Sequence, residues 1–174
     1  MNQVVICTPD KDLAQCVRGT RVVQLNRRTG VKLDEAGVTK KFGVPPDSIP
    51  DYLALVGDAA DGYPGLAGWG AKSASAVLAK YLHFESIPAD WREWQVNAAR
   101  ASALAQTLSE ERELALLFRT LATLRTDVTL FDDVEDLKWK GPTPAFAVLA
   151  SRLDAAATQK KRPSGRSEPA QRDR

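Results

Sequence analysis

Two acidic stretches and one glycine-rich turn carry the residues able to do chemistry. Thr8-Pro9-Asp10-Lys11-Asp12 follows an apolar run, and Gly57-Asp58-Ala59-Ala60-Asp61-Gly62 follows a segment with helical periodicity. Pro64-Gly65-Leu66-Ala67-Gly68-Trp69-Gly70-Ala71-Lys72-Ser73-Ala74 comes immediately after. Carboxylates are the ligands that hard divalent cations take. A glycine-rich turn leading into a helix lets backbone N–H groups approach a phosphate. The two features side by side point to phosphodiester chemistry on a nucleic acid.

Asp10 lies two residues beyond a predicted strand, the place where open α/β sheets bind ligands, and Asp12 lies two further on. Both can turn toward one point, with Lys11 between them facing away or making a local ion pair. The alternative is that one aspartate caps the following helix. Asp58 and Asp61 stand at a predicted helix C-terminus, where the dipole disfavours carboxylates. A divalent cation would offset that cost, and a plain polar loop is the alternative. Magnesium keeps several waters and needs one or two carboxylates per ion, so four aspartates suffice for one ion or for part of two.

Gly68-Trp69-Gly70-Ala71-Lys72-Ser73 is too short for a Walker loop, and no apolar strand precedes it. It reads as a hairpin between two helices. Gly68 and Gly70 would open the backbone to a phosphate, the helix from Lys72 would present its positive end, and Lys72 and Ser73 would add side-chain contacts. A simple turn between helices is the alternative. Trp69 can touch a sugar or base, or fill the helix pair. Trp91, Trp94 and Trp139 are expected in hydrophobic packing.

The elements that must position these residues follow from periodicity. Gln3–Thr8, with Val4, Val5, Ile6 and Cys7, reads as a buried strand suited to a parallel sheet. Asp12–Val17 can form a short helix, Arg21–Leu25 a second strand and Val31–Leu33 a short return. Asp34 caps a helix ending at Phe42, stopped by Gly43. Ile49, Tyr52, Leu53 and Val56 form one helical stripe. Lys72–Leu82 is a helix with Ala74, Val77, Leu78 and Tyr81 inward. Trp91–Trp94 is a helical turn, and Ser102–Leu124 a long helical region broken near Ser109–Glu111. Val128–Leu130 is expected to be extended, and Thr143 to cap a last helix through Leu153. This is too few strands for a complete α/β sheet. A buried first strand then implies an exposed edge, or a partner supplied from elsewhere.

Composition sets the bounds. The 174 residues are 44% hydrophobic and 26% charged, as in an ordinary globular chain. No apolar run is long enough to span a bilayer and no signal-type leader is present, so a cytoplasmic location is expected. Cys7 and Cys16 read as reduced, partly buried thiols, and His83, the single histidine, as packing or surface. Arg27, Arg28, Lys40 and Lys41 are expected in solvent. Residues 158–174 hold Lys160, Lys161, Arg162, Arg166, Arg172 and Arg174 against Glu168 and Asp173, a surplus of +4 in a chain of +2. The remaining body is therefore −2, consistent with carboxylates crowded at one site. The tail, broken by prolines and glycine, is expected to be disordered, either solubilising or a weak phosphate-binding arm.

Taken together, Thr8–Leu13, Gly57–Asp61 and the run from Pro64 to Ala74 resemble the 5′-to-3′ exonuclease and flap endonuclease family, including the 5′-nuclease domain of bacterial DNA polymerase I. Their order and spacing match the second half of that family over residues 1–155. The resemblance implies an α/β fold: a partial PIN-like parallel sheet followed by a mainly helical helix-three-turn-helix (helix-hairpin-helix) region. The implied organisation is the end of a nuclease core at 1–44, a helical DNA-binding region at 45–157 with the helix-hairpin-helix at 57–82, and the tail. It implies that Asp10, Asp12, Asp58 and Asp61 are catalytic metal ligands. It also implies that Gly65, Gly68, Trp69, Gly70, Lys72 and Ser73 bind duplex DNA with a 5′ end or flap. The family mechanism uses two Mg²⁺ ions, with Mn²⁺ as substitute, and many members hold K⁺ at the hairpin. Ala60 and Gly62 stand where the family often has Ser and Asn, which keeps both carboxylates but loses polar neighbours. The family's first half, with a further aspartate, a helical arch and another acidic cluster, has no counterpart here and is expected on another chain or upstream. A DNA-binding module without catalysis and a truncated remnant are the competing readings.

Overall fold

The first apolar run forms β1, Val4–Ile6, in the computed structural model, which describes residues 3–160. β1 pairs in parallel with β2, Val22–Leu25, which pairs antiparallel with β3, Lys32–Leu33. The expected parallel pairing is present. The expected burial is not: Val4 is 37% and Val5 42% exposed, and Cys7 is exposed as well. β1 is the edge of the sheet, so its outer side has no cover among the described residues. Cys16 is half-buried.

The short helix expected after β1 is a 3-10 turn, Asp12–Cys16, which buries Ala14. Helix α1, Glu35–Phe42, starts and stops as its sequence dictates. The Asp34 carboxylate accepts from Gly37 N at 2.8 Å, and Gly43 closes the helix with a left-handed φ of 74°.

Helix α2, Ile49–Val56, is the hub of the first unit. Ile49, Leu53, Ala54 and Leu55 are fully or almost fully buried. It packs against helix α3, Ala71–Tyr81, helix α5, Arg112–Ala122, and the 3-10 turn after β1. Helix α4, Ala101–Glu110, precedes α5, so the long helical region breaks at Glu111. On α3, Ala74, Val77 and Leu78 face the core as the periodicity requires, with Tyr81 half-buried.

One acidic residue of α2 is buried. Asp51 is 2% exposed. Its carboxylate takes His83 Nδ1 at 3.0 Å, Arg119 Nη1 at 3.1 Å and the Phe84 N–H at 3.3 Å. Arg119 also grips Glu85 with both guanidinium arms, at 3.0 and 2.7 Å. His83 therefore has a charged partner that its sequence neighbourhood does not reveal. The network ties α2, α5 and the segment after α3 together, and each charge is answered within it.

The chain divides into two compact units, Met1–Thr126 and Asp127–Arg174. The second contains a 3-10 turn, Val134–Leu137, capped by Asp133, and helix α6, Pro144–Lys160. Val128–Leu130 is not a strand. Trp139 is 80% exposed and so is not the packing residue expected, whereas Trp94 in the first unit is fully buried. Trp91 stands more than a third exposed. α6 extends past Leu153 into the first residues of the expected tail, and residues 161–174 lie outside the described ones. No helix among the described residues is long and apolar enough to cross a membrane.

Replacing Arg119 with Ala leaves Asp51 buried with only His83 and one N–H, at an expected cost of about 3 kcal/mol in denaturant unfolding. The same change removes an acid-dependent contribution. The Arg119 hydrogen bond outweighs burial and holds Glu85 down at about 2, against 4.5 ordinarily. A depressed carboxylate contributes stability above its unfolded value and loses it as pH falls from there toward 2. Melting temperatures measured between pH 5 and about 2 should fall less steeply in R119A than in the parent.

Candidate metal centre

Asp12, Asp58 and Asp61 meet at one place. Each offers a carboxylate oxygen, and the three oxygens lie within 4.8 Å of one another. Asp12 comes from the turn after β1, and the other two from the loop after α2. Burial is graded: Asp58 is 2% exposed, Asp12 half-buried and Asp61 exposed. Asp10 is not one of the three. It stands exposed beside them, with a long contact from the Asp12 N–H to its Oδ1 at 3.4 Å.

The loop after α2 is held by contacts that sequence spacing only hints at. Asp58 and Tyr63 exchange both backbone hydrogen bonds, at 2.9 and 3.1 Å, as a one-rung antiparallel bridge. Leu66 N then donates to Leu55 O at 3.0 Å, folding the loop back on the end of α2. Gly57 and Gly65 adopt φ of 87° and 75° and touch backbone to backbone. A Cβ on either would run into the other's strand of the loop, at Pro64 O or at Gly57 N and Leu55 O. Gly65 is thus fully occupied in closing the loop.

Two glutamines hold the Asp10–Asp12 loop. Gln24 of β2, 2% exposed, donates to Asp10 O. Gln15 donates to Asp12 O at 2.8 Å and to Ala122 O at 2.9 Å, and accepts from Leu124 N at 3.0 Å. It thereby caps the end of α5 and fixes the aspartate loop in one step. Neither residue stands out in the sequence, since their partners are backbone groups up to 109 positions away.

Electrostatics divide the three acids. Lys11 does not face away. Its ammonium lies 2.8 Å from Asp58 Oδ2, bridging the two acidic stretches. Burial would raise Asp58, but Lys11 and the backbone N–H groups of Ala60 and Asp61 together hold it below the ordinary carboxylate value. Asp12 moves the other way: burial first, then hydrogen bonding and repulsion from Asp61 and the charges of Asp10 and Asp58 raise it to about 7. Asp12 Oδ1 is buried without a hydrogen-bond partner, as is the Tyr63 hydroxyl. Burial, with the charges of Asp12, Asp58 and Asp61, drives that phenol upward.

The donor set is all carboxylate oxygen, with one buried oxygen unsatisfied. That fits a hard cation of the magnesium or manganese type better than a sulfur- or nitrogen-seeking metal.

The hairpin residues separate into two groups. Gly68, Gly70, Lys72 and Ser73 line an open recess of about 520 Å³ at the start of α3, joined by Asn97 and Arg100. Lys72 is exposed. Ser73 Oγ bonds both the N–H and the C=O of Gly70 at 3.0 Å, so it holds the turn shut. Trp69 is 6% exposed, donates Nε1–H to Leu104 O at 3.2 Å and lies against Trp94 at 6.0 Å. Its ring is packing and does not present itself to a sugar or base. Arg100 lines this recess without having been singled out in the sequence: it precedes α4 with a left-handed φ of 61°, a conformation no pattern announces.

A family model described as 5′-3′ exonuclease, C-terminal SAM fold, matches residues 44–145. The chain belongs to that family. A DNA polymerase I of Pseudomonas aeruginosa is 39% identical over 155 residues, covering 84% of this chain and 16% of that protein. A 5′-3′ exonuclease of Aquifex aeolicus is 40% identical over 140 residues, 80% of this chain and 45% of that one. The T5 5′-exonuclease, solved with divalent zinc bound, shares the fold with a TM-score of 0.57 at 17% identity, over 70% of this chain and 43% of that one. The chain thus spans less than half the length of these relatives, and its fold is the mixed α/β nuclease fold.

Because Gly65 combines a left-handed φ with backbone contact on two sides, Gly65→Ala should cost at least about 2 kcal/mol. Gly62, equally left-handed but open, has nothing within reach of a Cβ. Gly62→Ala should cost about 1 kcal/mol or less in the same thermal unfolding measurement.

Proposed function

We propose that this chain is the C-terminal portion of a metal-dependent 5′ nuclease that hydrolyses phosphodiester bonds at 5′ ends or 5′ flaps of DNA. The observation that carries the reading is the convergence of Asp12, Asp58 and Asp61 from two distant stretches of a family member. These three would hold Mg²⁺, or Mn²⁺ in its place. Asp10, exposed at the rim, would contribute to a second ion. A divalent cation held there would supply Lewis-acid activation of water and neutralisation of charge at the scissile phosphate. The chain's own part is to orient the carboxylates through Gln15, Gln24 and the Asp58–Tyr63 bridge.

Duplex DNA would lie against the recess of Gly68, Gly70, Lys72 and Arg100. There the backbone and the start of α3 meet phosphates without reading bases. A K⁺ ion held by hairpin carbonyls belongs to the same proposal. So does a cytoplasmic setting, and so does completion of the active site by the part of the nuclease domain that this chain does not span. Against a module that only binds DNA stands the metal centre itself, since backbone recognition has no use for three converging carboxylates.

In a form containing the whole nuclease domain, Asp58→Asn and Asp61→Asn should lower Mg²⁺-dependent cleavage of a 5′-flap substrate by about 100-fold or more. Duplex affinity in EDTA should change much less. Equal loss of both would remove the ligand assignment. Lys72→Ala and Arg100→Ala should each weaken duplex binding regardless of sequence and reduce the log–log salt slope by about one. An unchanged slope would place that side chain off the DNA.

A further inference from the structure

Lys11 stands between Asp10 and Asp12 in sequence, yet its ammonium crosses to the other acidic stretch. It sits 2.8 Å from Asp58 Oδ2, with the lysine side chain 37% exposed and the aspartate side chain 3%. Asp58 Oδ1 is already engaged, accepting from Ala60 N at 3.0 Å. Lys11 holds the other oxygen, Oδ2, so a cation drawn to this buried carboxylate meets an ammonium already on it. Asp12 supplies a buried Oδ1 with no hydrogen-bond partner. The three acids thus form a cation site in which one position is taken by the chain's own positive charge.

An ammonium and a divalent ion drawn to the same buried oxygen repel each other strongly, because the interior screens charge poorly. Lys11 also has an easy exit: a long, half-solvated side chain that can return its charge to water. We propose that Lys11 is a resident counter-ion of the metal centre. It neutralises Asp58 while no metal is bound, and it must leave Asp58 for a divalent cation to enter. Metal binding is then an exchange of one cation for another, not an addition. The inference rests on the reading of Asp12, Asp58 and Asp61 as cation ligands. It makes Lys11 a positioning residue, one that sets how much free metal the site requires and keeps the carboxylates together without it.

The test is Mn²⁺ binding to the full chain, read from loss of the free-ion electron paramagnetic resonance signal. The parent is compared with Lys11→Met, Lys11→Gln and Lys11→Arg. Met and Gln should bind about 10-fold more tightly than the parent, the scale on which one neighbouring charge shifts a carboxylate's affinity for a proton. Arg should bind no more tightly than the parent. The gain should persist in about 0.5 M KCl, where exposed charges act over only a few Å. Melting temperatures without metal should fall in Met and Gln, and the rise on adding Mn²⁺ should exceed that of the parent.

Equal affinity in parent, Met and Gln, with binding lost in Asp58→Asn, overturns the exchange while leaving the metal centre standing. A gain erased by salt overturns it as well, since it would then come from the diffuse field of the lysine. Absence of Mn²⁺ binding in every variant overturns the metal centre and the exchange together. Loss of fold in Met alone leaves Gln and Arg to decide.

Discussion

The constraint on which the site depends is the burial of Asp58's charge just past the end of a helix. The dipole there is negative and water is excluded, so a lone carboxylate would be driven to take up a proton. Three things prevent it: the Lys11 ammonium, the N–H groups of Ala60 and Asp61, and the two backbone hydrogen bonds with Tyr63 that fix the turn around it. Each needs the loop after α2 to close tightly, and closure needs glycine at 57 and 65, where side chains have no room. Electrostatics and backbone sterics are one requirement at this site. The same turn then delivers Asp61 to the cluster and launches the chain toward the hairpin.

The aspartate loop after β1 faces the opposite problem. It lies at an exposed sheet edge, where little burial holds it, and it must still meet Asp58 within a few ångströms. Gln15 and Gln24 solve this with side-chain amides, whose donors and acceptors match backbone groups. Gln15 couples the loop to the end of α5, which packs on α2, which carries Asp58. The route from one acid to the other therefore runs through the helical core and not through the short sheet. That explains how a three-stranded sheet with one open edge can position half of the acidic cluster.

Local features were legible in the sequence. Asp34 and Gly43 announce both ends of α1, the stripe of Ile49, Leu53 and Val56 announces α2, and the two acidic stretches announce a cluster, expected to include Asp10 but formed by Asp12, Asp58 and Asp61. What escaped depends on the third dimension. An apolar run such as Val4–Ile6 reads as buried whether or not a neighbour covers it; the shortage of strands pointed to an open edge, but not to the exposure of Val4 and Val5 themselves. Asp51 looks like an ordinary first-turn acid of a helix, and only the arrival of Arg119 from α5 and His83 from beyond α3 justifies burying it. Lys11 looks like a spacer between acids because its partner is far away in sequence. Trp69 sits at the tip of a phosphate-binding pattern, but the approach of α4 turns it inward.

That inward turn bears on how the hairpin works. A tryptophan at a turn can either contact a ligand or hold the turn's geometry, and the bond from its indole to Leu104 O selects the second. Ser73 makes the same choice by closing on Gly70. With both engaged internally, the surface left at the start of α3 is mostly backbone, glycine and alanine, with Asn97 and two cations, Lys72 and Arg100. Such a surface can meet the regular spacing of phosphates and has little with which to tell one base from another. The 5′ nuclease activity proposed above would have use for that indifference. On that proposal, selectivity would come from the shape of the substrate's end and from the acidic cluster, while the hairpin would supply grip.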